Sequence, residues 1–243
     1  MTPAGSIATT VKPELAALRW VRGAAAVCAK DLRSELRSKD TINASLSFAL
    51  VILLLFSFAF DPGVDTVREI SGGLLWLVFA FAGALVLNRS YARELVNDCL
   101  DALLSSPVSG AQLFLGKCVA NFVLLVAVEV ICIPVFGIFY NVNWTRHLGQ
   151  LAITFALGTW ALTVIGTMFS AMTVNLRLRE LMLPILVYPM MIPALMAAIQ
   201  LTTVLMAGNT VSADNLIWFK VLIGFDIIFT ILGVSFVDTV LIG

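Results

Sequence analysis

The chain has 243 residues, of which 60% are hydrophobic and 12% charged, with 15 Lys and Arg balanced by 15 Asp and Glu. Soluble domains carry roughly 45–50% apolar and 25% charged residues, so the solvent for most of this chain is lipid. The even charge gives no footing for a nucleic-acid partner, and a single histidine leaves no array for a hydrolase that needs a histidine base.

Residues 1–43 read as a cytoplasmic N-terminal extension followed by a basic amphipathic helix. Leu18, Val21, Ala25, Cys28 and Leu32 recur at helical spacing, while Arg19, Arg22, Arg33 and Arg37 occupy another face. That pattern suits a helix lying on the inner leaflet. No continuous apolar core precedes Lys30, Asp31 and Arg33, so a cleaved signal peptide is not expected.

Residues 44–243 contain six apolar runs long enough to cross about 30 Å of hydrocarbon. They lie at about 44–60, 70–88, 118–140, 149–171, 181–206 and 216–242. The fold class is therefore all-α, an integral membrane bundle of six transmembrane helices. Segments 1–43, 89–117 and 172–180 hold seven, three and two Lys or Arg, whereas the alternate loops hold only Arg68 and Arg146. The excess of positive charge places both termini in the cytoplasm. Trp144 and Trp218 then fall at the outer interface.

The connection 89–117 is long for a link between spans. Ala92, Leu95, Val96, Cys99 and Leu103 make one helical stripe, and Glu94, Asn97, Asp98 and Asp101 make a second. Pro107 and Gly110 are expected to break that helix. An acidic stripe is repelled by anionic lipid, so the expected contact is a partner subunit, with Leu95, Leu103 and Leu104 as anchors and Glu94 as the polar contact. GAQLFLGKC at 110–118 resembles a phosphate loop only loosely. It has five residues between its glycines, Cys118 where Ser or Thr should follow the lysine, and no strand before it. Any ATP is bound by another chain.

Within the spans, Glu129 and Asp226 must face the bundle interior, either lining a polar pathway or clasping two helices. Lys220 and Asp238, nearer span ends, are expected to snorkel toward water. Pro184, Pro189 and Pro193 are expected to kink or locally unwind the fifth span, as a gate would require. Met182, Met190, Met191 and Met196 read as deformable packing. The cysteines Cys28, Cys99, Cys118 and Cys132 lack any metal or disulfide spacing. His147, beside Trp144 and Arg146 in the loop NVNWTRHLGQ, reads either as an interfacial loop residue or as a haem contact.

Taken in order, GGLLWLVFAFAGALVLNRSYARELVNDCLDALLSSPVSGAQLFLGK (72–117), the basic turn TVNLRLRE (173–180) and LPILVYPMMIP (183–193) resemble the cytochrome c maturation protein B family, the haem exporter B permeases. The likeness covers about 45–243, and the first ~20 residues carry none of it. The resemblance implies an ABC-2-type exporter permease of the bacterial inner membrane, with no catalytic site and no intrinsic cofactor. Its coupling helix would lie in the connection after the second span. The implied partners are a separate ATP-binding subunit, further cytochrome c maturation membrane proteins and a haem chaperone, with haem as substrate or ligand of the complex. Membrane lipid surrounds it, and a homodimer is left open. Two alternatives stand beside this reading: an ABC-2 permease for lipid, glycan or drug, and a membrane scaffold that couples an ATPase to a haem chaperone without translocation.

Overall fold

The structure, a computed structural model, describes residues 13–60, 65–95, 108–142, 144–173 and 179–242. The described residues form α1 (Pro13–Ser38), α2 (Asp40–Ala59), α3 (Asp65–Asn88), the short α4 (Ala92–Leu95), α5 (Gly110–Phe139), α6 (Leu148–Thr173), α7 (Arg179–Met206), a 3-10 turn (Ala213–Asn215) and α8 (Leu216–Ile242). Six helices, α2, α3, α5, α6, α7 and α8, are long and apolar enough to cross a membrane. The expected all-α six-span fold is the observed one.

Sequence chemistry sets two boundaries more sharply than the apolar runs do. Between α1 and α2, Lys39 takes a left-handed conformation with φ 58°. The Glu35 carboxylate then accepts from the backbone N–H groups of Thr41 and Ile42 at 2.8 and 2.9 Å. These are amide donors that a helix start otherwise leaves unmatched. The second boundary is a capping box. Ser109 accepts from Gln112 N–H at 3.3 Å, and the Gln112 side chain accepts from Ser109 N–H at 2.8 Å.

This box starts α5 at Gly110 rather than at about 118, and the segment that Pro107 and Gly110 are expected to interrupt lies outside the described residues. The early turns look too polar for a span because they hold Gln112, Lys117 and Asn121. All three are buried with partners.

At the centre of the bundle lie α3 and α6, the most enclosed of the spans, with α2 and α8 the least. Trp76 of α3 is the keystone. Its ring packs on Gly158 of α6, where an added Cβ would come within 2.2 Å of the indole, so a larger residue there would separate the helices. The indole N–H donates to Thr202 Oγ1 of α7 at 2.9 Å, and Phe79 and Phe155 complete an aromatic cluster. Polar ties to backbone carbonyls recur between spans: Tyr140 hydroxyl to Leu53, Ser170 hydroxyl to Leu87 and Tyr188 hydroxyl to Ala80. In a membrane, where burial from water does not drive helices together, such bonds and close packing hold the bundle at about 0.6 kcal/mol per bond.

Of the two expectations for the fifth span, a kink or local unwinding, the continuity of the helix bears on the second. α7 runs as unbroken helix through Pro184, Pro189 and Pro193, so no local unwinding occurs there. Pro189 and Pro193 lie on the exposed face and Pro184 is half-buried, so two of the three missing N–H groups face away from the bundle. Met191 is fully buried while Met182, Met190 and Met196 are exposed.

Candidate functional site

The densest polar arrangement among the described residues sits where α1, the segment after α3 and the first turns of α5 converge. Lys117 is 1% exposed. Its ammonium pairs with Glu94 Oε1 at 2.8 Å and Asp31 Oδ2 at 3.1 Å, donates to the Ser90 carbonyl at 2.8 Å, and lies 4.7 Å from the centre of the Tyr91 ring. Lys30 closes the ring of charge, 2.6 Å from Glu94 Oε1 and 3.2 Å from Asp31 Oδ1. Two ammonium and two carboxylate groups therefore cancel inside one joint. Just beneath, the Asn121 amide donates to Ser90 Oγ and to Thr167 Oγ1 of α6, both at 2.9 Å.

Electrostatics follow from this geometry. Burial pulls the Lys30 ammonium down, but Glu94 and Asp31 more than offset it and hold it above the ordinary lysine range. Burial, and then the acidic groups close by, push the Tyr91 phenol well above its usual range. Glu94 Oε2 and the Tyr91 hydroxyl are buried with no hydrogen-bond partner among the described residues.

The joint is held by helix packing. α1 crosses the first turns of α5, where an added Cβ at Gly116 would come within 2.6 Å of the Ala24 carbonyl. The Gln112 amide donates to the Trp20 carbonyl at 2.9 Å. The contact face of α1 is thus Gly23, Ala24, Val27 and Asp31, adjacent to the stripe through Leu18, Val21 and Ala25, which remains exposed. Packing of backbone to backbone selected small residues, which a search for large apolar ones passes over.

Of the residues expected on the coupling connection, Glu94 faces inward, into the ion-pair joint, and does not belong to an outward acidic stripe. Leu95 ends α4. Leu103 and Leu104 lie outside the described residues.

The intramembrane carboxylates have contrasting settings. Glu129 of α5 is buried and accepts a hydrogen bond from Thr159 Oγ1 of α6. Asp226 of α8 is also buried, and neither of its oxygens has a partner among the described residues. At the opposite end from the joint, Trp144 folds back onto Gly137 of α5, and His147 Nε2 lies 3.2 Å from the Gly208 carbonyl. That bond requires the proton on Nε2. Trp144 and His147 thus have separate partners within the chain. An apolar groove of about 190 Å³ runs between α3 and α7, lined by Trp76, Leu77, Phe81, Tyr188 and Ile199 among others. No cluster of metal-ligating residues occurs among the described residues.

Lys30, Asp31, Lys117 and Asn121 are the residues that sequence reasoning missed. The adjacent Lys-Asp pair in a basic helix and a lysine at the start of an apolar run were visible, but nothing in the pattern joins positions 86 apart.

Comparison with known proteins gives a match between the CcmB protein family and residues 22–239. The chain belongs to the CcmB family. Among its relatives, the protein named haem exporter protein B from Rhodobacter capsulatus is 30% identical over 72% of this chain and 80% of its own length. Its namesake from Paracoccus denitrificans is 29% identical over 70% of this chain and 78% of its own. That from Escherichia coli K12 is 27% identical over 69% and 76% respectively. The family match begins inside α1, so the joint lies wholly within the CcmB region, which reaches further toward the N-terminus than the 45–243 likeness seen in sequence motifs.

Proposed function

We propose that this protein is the membrane permease subunit of a haem-export assembly used in cytochrome c biogenesis, driven by ATP hydrolysis in a separate subunit. The observation that carries the reading is the CcmB match across all six spans, shared with relatives named as haem exporters. The location is the bacterial inner membrane with both termini cytoplasmic, because the positively charged segments flank the α1 end of the bundle. Other cytochrome c maturation membrane proteins and a haem chaperone complete the assembly. A second copy of the permease could use the exposed faces of α2 and α8.

In this reading the ATP-binding subunit docks on the connection between α3 and α5 through Leu95, Leu103 and Leu104. Glu94 acts from inside. Its pairing with Lys117 and Lys30 supports the reading, because a push on the connection meets α5 and α1 through one bonded group. From α5 the displacement reaches α6 through Glu129 and Thr159. Pro184, Pro189 and Pro193 leave α7 with fewer backbone bonds along its length and so more compliant.

The test is co-purification of the ATP-binding subunit with a Leu103→Ala, Leu104→Ala variant, with Asn97→Ala as the control. Truncating buried anchors should cost about 2 kcal/mol or more, roughly a thirtyfold loss of retention. Normal retention together with normal cytochrome c maturation would refute the docking role.

A further inference from the structure

α1 presents three faces, and only one is occupied by the protein. The first, Gly23, Ala24, Val27 and Asp31, is seated on α5. The second is the apolar stripe Leu18, Val21 and Leu36, with 47, 57 and 63% exposure. The third carries Arg19, Arg22, Arg33 and Arg37, all exposed and none with a partner among the described residues. At about 100° per residue the apolar and arginine faces are neighbours.

Position decides what can cover them. α1 lies against the first turns of α5: the Gln112 amide donates to the Trp20 carbonyl, Gly116 meets Ala24 and Val27, and Lys117 pairs with Asp31. α1 therefore sits at the mouth of α5. The mouth of a spanning helix is at the depth of the lipid headgroups, so the exposed apolar stripe enters the acyl boundary and the arginines beside it reach the phosphate plane.

We infer that α1 is a binding surface for anionic phospholipid headgroups, with two subsites. Arg19 with Arg22, and Arg33 with Arg37, are pairs one helical turn apart on one face. Arg22 and Arg33 are separated by about 16 Å along the axis. Each pair can take one phosphate between two guanidinium forks, a geometry that lysine does not reproduce as well. Lipid is the occupant that matches both faces at once: a charge for the arginines and a hydrocarbon for the stripe beside them. Because Lys30 and Asp31 lie on the same helix, the bound headgroups would also steady the ion-pair joint.

The full-length chain, placed in nanodiscs of phosphatidylcholine with phosphatidylglycerol, tests this by electron paramagnetic resonance of spin-labelled lipid. Wild type should immobilise labelled phosphatidylglycerol in excess over labelled phosphatidylcholine. Arg19→Gln with Arg22→Gln, or Arg33→Gln with Arg37→Gln, should each remove about half of that excess, and the fourfold variant all of it, at about fivefold in lipid affinity per arginine. The matching Arg→Lys variants should keep most of the excess, which separates lost charge from a misplaced helix. Excess glycerol phosphate should leave it in place. An undiminished excess in the fourfold glutamine variant would overturn the inference. So would displacement of the label from α1 by an added ATP-binding subunit, which would make this face a protein contact.

Discussion

The joint at the α1 end and the middle of the bundle both bury carboxylates, yet they solve the problem in opposite ways. At the joint, Asp31 and Glu94 face two ammonium groups, and Lys117 alone makes three polar contacts and lies over an aromatic ring. In the middle, Glu129 has one neutral donor and Asp226 has none among the described residues. Full charges can be kept out of water only where opposite charges converge, and three separate chain segments are needed to assemble that convergence. A single span crossing hydrocarbon offers no such neighbours, so a carboxyl group there is tolerated individually and its neutral isostere should serve the fold as well.

The largest expected effect would break one side of this contrast. Lys117→Met leaves Glu94 buried and Asp31 partly buried with one half-exposed cation between them, and should destabilise the protein by about 3–5 kcal/mol, measured by thermal unfolding in detergent. Adding Glu94→Gln and Asp31→Asn to Lys117→Met should recover most of the loss, because the uncompensated charges go with their partner. If the triple variant is as unstable as the single one, the joint is held by shape and not by charge.

A smaller effect is expected in the middle of the bundle. Thr159→Val strips Glu129 of its donor and should cost about 1–3 kcal/mol, whereas Glu129→Gln should stay within about 1 kcal/mol of wild type. Asp226→Leu removes no bond to the described residues and should be neutral or stabilising. A loss for Asp226→Leu as large as that for Lys117→Met would abolish the contrast. Unchanged stability with lost cytochrome c maturation would assign Asp226 to the transport pathway.

The mildest test is one of pH. The folded-state affinity of Lys30 for its proton is raised, so its stabilising contribution is complete below the unfolded lysine value of about 10.4 and disappears only as pH rises through the higher folded value. Wild type and Lys30→Gln should therefore differ by a constant amount below about pH 10 and converge above it. A difference that vanishes near neutral pH would contradict the pairing.

The six spans were legible because length and apolarity alone determine which segments can cross lipid. The start of α5 was not. Lys117 looks like a boundary residue until Asp31 and Glu94 are seen to neutralise it, and those lie in other segments. The Ser109 and Gln112 capping box was the local signal that could have placed it. For α1, existence and amphipathicity were readable, but its contact face was not, since Gly23 and Ala24 register as weak residues in any hydrophobic pattern. Glu94 was expected as a polar contact for a partner subunit, and its inward turn onto Lys117 was not legible, because a stripe of acids on a wheel does not reveal which member turns inward.

The long sequence separation within the joint has a consequence for the order in which the protein is made. Asp31 meets Lys117 and Trp20 meets Gln112 across 86 and 92 residues. While the ribosome is still delivering the second span, the α5 partners of α1 are absent, and Lys30 and Asp31 remain with water and headgroups. Docking becomes available only after the N-terminal half of α5 has emerged, and it brings Glu94 out of solvent in the same event. The joint therefore closes as a late step of insertion, on the first three spans together, and a chain arrested before that point presents an N-terminus that is inserted but not yet fastened.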